Sequence, residues 1–334
     1  MSLRNRSKRI TWALAFWLLA ASCLAAPPSK TPEFVPGSWT LVLLPDTQNY
    51  AEKYPGLLLL QTRWIAKNKD KYDIRYVLGL GDITNRNTDL EWRRAQDAFA
   101  ELDGQVPYAI VPGNHDYAPH SDVVRGATGL DKHFPPSKFR AWPTFGGVME
   151  EGKIANSYHF FSAGGVDWII LALEWAPRNA TVAWANGVLA KYPNRKAILV
   201  THAYLSNDSN RLAFAKYGKW QAGNPHEYER LRRESVNDGE ELWQKLVRKN
   251  NFALVFCGHV YSRGEGFLAS KNDRGATTHQ MLCDYQNRAL GGEGYLRLVE
   301  FLPDGKTVQV VSYSPLYDKY LDADGNQFTF KLEQ

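Results

Sequence analysis

Tyr76-Val77-Leu78-Gly79-Leu80-Gly81-Asp82 is an apolar strand that runs out through glycine into a carboxylate. The same arrangement recurs in both directions along the chain. Leu41-Val42-Leu43-Leu44-Pro45 leads to Asp46, and Ala109-Ile110-Val111-Pro112-Gly113 leads to Asn114-His115. Ala197-Ile198-Leu199-Val200-Thr201 leads to His202, and Leu254-Val255-Phe256-Cys257-Gly258 leads to His259. Taken singly, each polar residue has an ordinary explanation as a turn former or a satisfied core histidine. Together they place metal-binding residue types at the carboxyl ends of five strands, where open α/β sheets hold their ligands.

Helical patterns fall between these strands, at Gly56 to Lys69, from Thr88 to about Leu102, at Val182 to Lys191 and from Asn237 to about Lys249. Thr88-Asp89-Leu90-Glu91 has the spacing of a capping box. Further strands are expected near Ser157 to Phe161 and Val166 to Leu173. A β-rich end follows at Thr277 to Cys283, Tyr295 to Phe301 and Val308 to Tyr313. Alternation of this kind implies a largely parallel sheet with further strands added by hairpins, in one layered α/β domain. Ala118 to Glu151 and Ala203 to Ser235 have weak periodicity and read as long loops of the kind that carry function.

Of 334 residues, 44% are hydrophobic and 22% charged, which excludes a disordered chain. The net charge of +5 includes four cations in a leader, Arg4, Arg6, Lys8 and Arg9, so the remainder carries 5 − 4 = +1. That balance supplies no electrostatic footprint for nucleic acid. Residues 1–26 read as a signal peptide, with the apolar run Ile10 to Ala21 followed by small residues, and 27–38 as a Pro-rich linker. The folded domain is then 39–334, in a periplasmic or secreted protein. Membrane association is expected only if the leader stays uncleaved or Cys23 is lipidated. Cys257 and Cys283 lie in apolar strand-like runs and are expected as buried free thiols, the alternative being a disulfide.

The blocks Asp46-Thr47-Gln48, Gly81-Asp82, Gly113-Asn114-His115-Asp116, His202 and Gly258-His259-Val260-Tyr261 resemble, in order and spacing, the D-x-H, G-D, G-N-H-[D/E], H and G-H-x-H motifs of the calcineurin-like metallophosphoesterases. The resemblance covers nearly all of Trp39 to Ser314. Leu44-Pro45-Asp46-Thr47-Gln48-Asn49-Tyr50, with Asn237-Asp238-Gly239-Glu240 and Asp284-Tyr285-Gln286, further resembles an exported bacterial group within that superfamily. The resemblance implies an α/β/β/α sandwich of two mixed sheets and a metal-dependent phosphoester hydrolase acting on a phosphorylated small molecule or macromolecule. It also implies two divalent ions, with Mn, Fe, Zn and Mg all open. Asp82 would bridge them, Asp46 would hold the first, and Asn114, His202 and His259 would complete the second. His115, with Asp116 beside it, is the implied catalytic element, acting as acid or transition-state stabiliser.

Two positions depart from the family pattern. Gln48 and Tyr261 stand where the first-metal site would have imidazoles, and a Gln carbonyl suits harder ions. Asn85, three residues after Asp82, is neutral where relatives carry an Asp or Tyr. His279 and Asp284 flank a late strand and are expected either to replace the missing ligands or to be ordinary strand-edge polar residues. Glu174 and Arg178 follow an apolar strand and either line the pocket or form an exposed salt bridge. Two other readings stay open: a one-metal relative that binds a phosphorylated ligand without turnover, and an exported interaction protein using some of its 11 Trp and 17 Tyr.

Overall fold

Alternation along the strands decides what each residue covers. In β1 (Trp39–Leu44), Leu41 and Leu43 face one core while Val42 and Leu44 face another, and all are buried. The computed structural model describes residues 33–117, 124–228, 234–323 and 325–333. The expected leader, with Cys23, lies outside the described residues.

Two mixed sheets of seven strands each face one another. In the first, β1, β2 (Ile74–Gly79) and β3 (Tyr108–Ile110) run parallel. β11 (Leu296–Phe301) joins β1 antiparallel, and β12 (Thr307–Ser314), β13 (Lys319–Tyr320) and β14 (Gln327–Lys331) continue the sheet antiparallel. The second sheet comprises β4 (Phe145–Val148), β5 (Ser157–Ala163), β6 (Val166–Ala172), β7 (Lys196–Val200), β8 (Phe252–Cys257), β9 (Glu265–Lys271) and β10 (Thr277–Cys283). Its order is β4-β5-β6-β7-β8-β10-β9, and β6, β7, β8 and β10 are mutually parallel. Both sheets therefore have a parallel centre and antiparallel margins.

Leu41, Leu43, Tyr76 and Leu78 from the first sheet and Ile170, Ile198, Leu254 and Phe256 from the second fill the space between them. Trp39 stacks on Phe301 with ring centroids 3.7 Å apart in this layer. Full burial of each such large apolar side chain contributes about 1.5–3 kcal/mol. Helices α1 (Gln48–Lys53), α2 (Pro55–Asn68) and α3 (Asp89–Ala100), with the short α4 (Leu130–His133) and α5 (Pro136–Phe139), lie on the first sheet's side. On the other side are α6 (Asn179–Lys191), the short α7 (Phe214–Tyr217), and α8 (Gly239–Leu242), which widens into a π-helical stretch at Trp243–Val247. The result is a single-domain α/β/β/α sandwich. No helix among the described residues is long and apolar enough to cross a membrane.

The capping box at Thr88 forms as the spacing requires, with Glu91 N–H donating to Thr88 Oγ1. The β-rich end also forms, but β4, β9, β13 and β14 carry no clear alternation and were not foreseen. Phe145-Gly146-Gly147-Val148 is half glycine, and β9 is a partly exposed edge strand of mixed polarity. Cys257 and Cys283 are free and buried. Cys257 pairs in register with Leu282, so Cys283 is one residue off; Cys257 faces the helix layer and Cys283 the space between the sheets. A parallel register thus separates the two thiols by the sheet itself.

Candidate metal centre

The parallel strands of both sheets end at one edge, and the chain turns sharply as it leaves them. Asp46, Asp82 and His259 all have positive φ, at 43°, 46° and 74°. That is a costly conformation for residues with a Cβ, and it persists where the surroundings over-determine it. The surroundings here are close-fitting. A Cβ on Gly113 would lie 2.1 Å from Asp82 Oδ1, and one on Gly258 would lie 2.0 Å from Asp46 Oδ2. Glycine at those two positions lets the backbone approach each carboxylate.

The turns converge as the strand-end pattern requires. His202 Nε2 lies 3.3 Å from Asp82 Oδ1 and 3.9 Å from Asp46 Oδ1. The backbone N–H of His259 donates to Asp46 Oδ1 at 3.0 Å, and that of His115 to Asp82 Oδ1 at 2.9 Å. Potential ligand atoms of Asp82, His202 and His259 all lie within 4.8 Å of one another. Asn114 is buried at the start of the 3-10 turn Asn114–Asp116 that follows β3.

Each imidazole is oriented by a backbone carbonyl. His202 Nδ1 meets Leu80 O at 2.7 Å, His259 Nε2 meets Gly223 O at 2.8 Å, and His115 Nδ1 meets Asn85 O at 2.9 Å. A carbonyl accepts only, so the facing nitrogen carries a proton, and in the neutral ring the other nitrogen is the one that offers a lone pair. This is how metal-ligating histidines are held.

Charge is unevenly placed. Burial raises Asp46 well above the usual carboxylate range, and the neighbouring Asp284 and Asp82 push it further. Burial likewise lifts Asp284 to about 6, despite two hydrogen bonds from Gln286. Burial acts the same way on Asp82, but the adjacent His202 overrides it and holds the carboxyl at about 2. Burial and then the charge of His202 press His259 down to about 3, keeping it neutral. Three acidic side chains and two imidazoles gathered in one buried pocket form a donor set that a bound cation would satisfy. Asp46 Oδ2 and Gln48 Oε1 are buried acceptors with no hydrogen-bond partner among the described residues. An oxygen-rich set with two imidazoles and unsatisfied acceptors fits divalent metal.

The first-metal side differs from expectation. Gln48 Nε2 donates to Asp82 Oδ2 at 3.1 Å and to Gln286 Oε1 at 2.6 Å, and Gln286 in turn donates to Asp284. Asp284 therefore belongs to the site's electrostatics, with Gln286 as the link. His279 does not: its Nε2 holds Lys331 O at 3.0 Å and its ring packs against Phe330 and Phe267, so it anchors β14 and is no replacement ligand. Tyr261 is 58% exposed, so its phenol does not take the buried place of an imidazole. Asn85 serves through its carbonyl, while its side chain donates to Glu52.

The structure places the Asp116 carboxylate against backbone amides, so its visible contacts are structural. Its carboxylate accepts from the N–H groups of Gly113, Ile83 and Thr84 and from the Thr84 hydroxyl, tying the β2 and β3 turns together. Glu174 is a buried partner of Arg178 and Arg125, and these line a polar cavity of about 250 Å³ with Tyr117, Asp131 and Asn156. The pair is thus neither an exposed salt bridge nor part of the metal cluster. Trp175, next in sequence, is fully buried, with its ring centroid 4.7 Å from that of His259 and 5.4 Å from that of His202. Sequence reasoning passed over Trp175 and Gly223, and only Gln286 left a signal, in the tract beginning at Asp284.

The family model for calcineurin-like phosphoesterases matches residues 41–263. An uncharacterized protein of Bacillus subtilis (strain 168), YvnB, is 34% identical over 323 residues, covering 92% of this chain and 22% of that protein. The chain thus spans about a fifth of that relative's length. Among solved structures, the purple acid phosphatase PPD1 from yellow lupin (Lupinus luteus) seeds is similar in fold, with a TM-score of 0.51 at 13% identity, over 88% of this chain and 54% of that one.

Proposed function

The chain belongs to the calcineurin-like phosphoesterase family of metal-dependent phosphoester hydrolases, and on that footing we propose that the strand-end cluster is its active site. The observation that carries the reading is the meeting of buried Asp46 and Asp82 with His202 and His259, each imidazole pinned by a backbone carbonyl. Asp82, His202, His259 and Asn114 would hold one ion, and Asp46, Asp82 and Gln48 a second, weaker one. When bound, divalent ions would screen phosphoryl oxygens and lower the pKa of water, so that hydroxide is available as the nucleophile near neutral pH.

The protein's own residues supply the rest. Asn85 O holds the proton on His115 Nδ1, so the proton given to the departing alkoxide would come from Nε2, leaving the neutral Nδ1–H ring. Asp116 holds the turn that carries His115, and the Gly113 and Gly258 turns keep the carboxylates in place. Gln48, with its amide nitrogen engaged by Asp82 and Gln286, favours a reading in which one ion is held tightly and the other loosely. The leader pattern supports export to the periplasm or medium.

Hydrolysis of chromogenic phosphomonoesters and diesters, with Mn²⁺ or Mg²⁺ added and then chelated, tests this. Asp82→Ala and His259→Ala should abolish metal-dependent turnover and lower metal content. His115→Ala should keep its metal and slow the chemical step by about 10²–10⁴-fold. Full activity and metal content in both ligand variants would remove the assignment.

A further inference from the structure

Asn237-Asp238-Gly239-Glu240 lies at the start of α8 and has no part in the chemistry above. Its hydrogen bonds nonetheless run to two segments that contact His259. Asp238 caps α8 conventionally: Oδ1 accepts from Glu241 N–H at 3.0 Å, and Glu241 reaches back to Asp238 N–H. The other oxygen does something a cap does not require. Asp238 Oδ2 accepts from Phe214 N–H at 2.7 Å and from Asn224 Nδ2 at 3.2 Å. Asn224 is fully buried, and the residue before it is Gly223, whose carbonyl holds His259 Nε2.

Gly223 has no slack. Its φ is +82°, and a Cβ there would lie 2.7 Å from His259 Nε2. Asn237 bonds to a second segment that contacts the ring. Its Nδ2 donates to Pro177 O at 2.8 Å and to Asn179 Oδ1 at 3.1 Å, fixing the segment that presents Trp175 to His259.

Resting on the reading of His259 as a metal ligand, we propose that Asp238 is a positioning residue for His259, acting through Asn224 and the Gly223 carbonyl, with Asn237 steadying the Trp175 side. A helix start thereby sets the direction of an imidazole that it does not touch. The hydrogen-bond partners that orient metal ligands typically govern affinity by about 10–100-fold.

Asp238→Asn separates the two roles. Asn caps a helix as well as Asp does. With its oxygen kept on Glu241 N–H, however, its amide nitrogen confronts the donors of Phe214 and Asn224. Mn²⁺ titrated calorimetrically into the purified apoprotein should bind its tighter site at least ~10-fold more weakly in Asp238→Asn. The far-ultraviolet circular dichroism of the parent should be retained. Asn224→Asp, added to Asp238→Asn, gives the new amide an acceptor and should recover most of the affinity. Asn224→Ala and Gly223→Ala should each weaken Mn²⁺ binding with the cap intact, which keeps the test open if Asp238→Asn fails to fold. Val310→Ala, a core change far along the chain, should lower stability and leave Mn²⁺ affinity alone.

Unchanged Mn²⁺ affinity in folded Asp238→Asn or Asn224→Ala would overturn the proposal, as would loss in Asp238→Asn without loss in Gly223→Ala. His259→Ala distinguishes the failures. If it keeps full Mn²⁺ affinity, the site reading itself is wrong. If it loses Mn²⁺ while the Asp238 and Asn224 variants do not, only the positioning role is wrong.

Discussion

Replacing Gly113 by alanine adds one methyl group and should disable the site. Gly113 has φ −97° and ψ −174°, extended backbone that alanine adopts freely, so the effect is steric and not conformational. The methyl carbon would lie 2.1 Å from Asp82 Oδ1 and 2.4 Å from the Asp82 backbone nitrogen. Both distances are more than ~1 Å inside van der Waals contact. Rotation of the carboxylate alone cannot relieve the clash, because the second atom is main chain. Asp82 must move, and it carries the hydrogen bonds from His115 N–H and Gln48 Nε2 with it. A displacement of ~1 Å at a reacting centre costs about 10²-fold in rate. Overpacking adds about 1–3 kcal/mol of destabilisation.

Mn²⁺ calorimetry and hydrolysis of a chromogenic phosphomonoester should therefore show weaker binding and a roughly 10²-fold lower kcat/KM in folded Gly113→Ala. Gly187→Ala is the matched control. It lies on the exposed face of α6 with nothing within 4 Å of the added Cβ, and should stabilise by about 0.5–1 kcal/mol with activity unchanged. A Gly113→Ala protein with parental Mn²⁺ affinity and turnover would refute the close-approach argument, and with it the placement of Asp82 at the centre.

Gln48→His should tighten the weaker ion's binding in the same titration, since Gln48 is buried against Asp82; Tyr261→His, at an exposed position, should add little to it. Arg297 is fully buried and donates to Leu282 O, Gly325 O and Asn326 Oδ1, so Arg297→Met should cost about 3 kcal/mol or more in denaturant unfolding; a loss below about 1 kcal/mol would show those acceptors find other partners. A hydrogen bond to Glu241 raises His226 above its usual range, so the pair's stabilisation is complete below the unfolded value of about 6.5 and fades as pH rises through the folded one. Both groups are partly solvated, which limits the effect to under about 1 kcal/mol. The stability gap between parent and His226→Gln should accordingly shrink from pH 6 to pH 9, and a gap that widens would reverse the sign of the argument.

The placement of polar residues at strand ends was legible in the chain because it is local. Apolar runs such as Leu41 to Leu44 and Ala197 to Val200 can only be buried strands here. A polar residue directly after each must appear at the sheet's edge, so Asp46, Asp82, His202 and His259 were predictable without knowing the packing. Capping at Thr88 was legible for the same reason: both partners lie within four residues. What the tertiary structure decided depends on contacts between distant segments. His279 and Asp284 looked alike in the sequence, each beside one strand. Alternation turns the His279 ring toward Phe330 and β14, while the turn after Cys283 carries Asp284 to Asp46. Asp116 follows His115 directly, yet its carboxylate is drawn to the amides of Ile83 and Thr84, a pairing between two turns more than thirty residues apart. The carbonyls of Leu80, Asn85 and Gly223 have no sequence signature at all, because every residue has one. Only the folded backbone chooses which of them meets an imidazole, and so which nitrogen is left to bind.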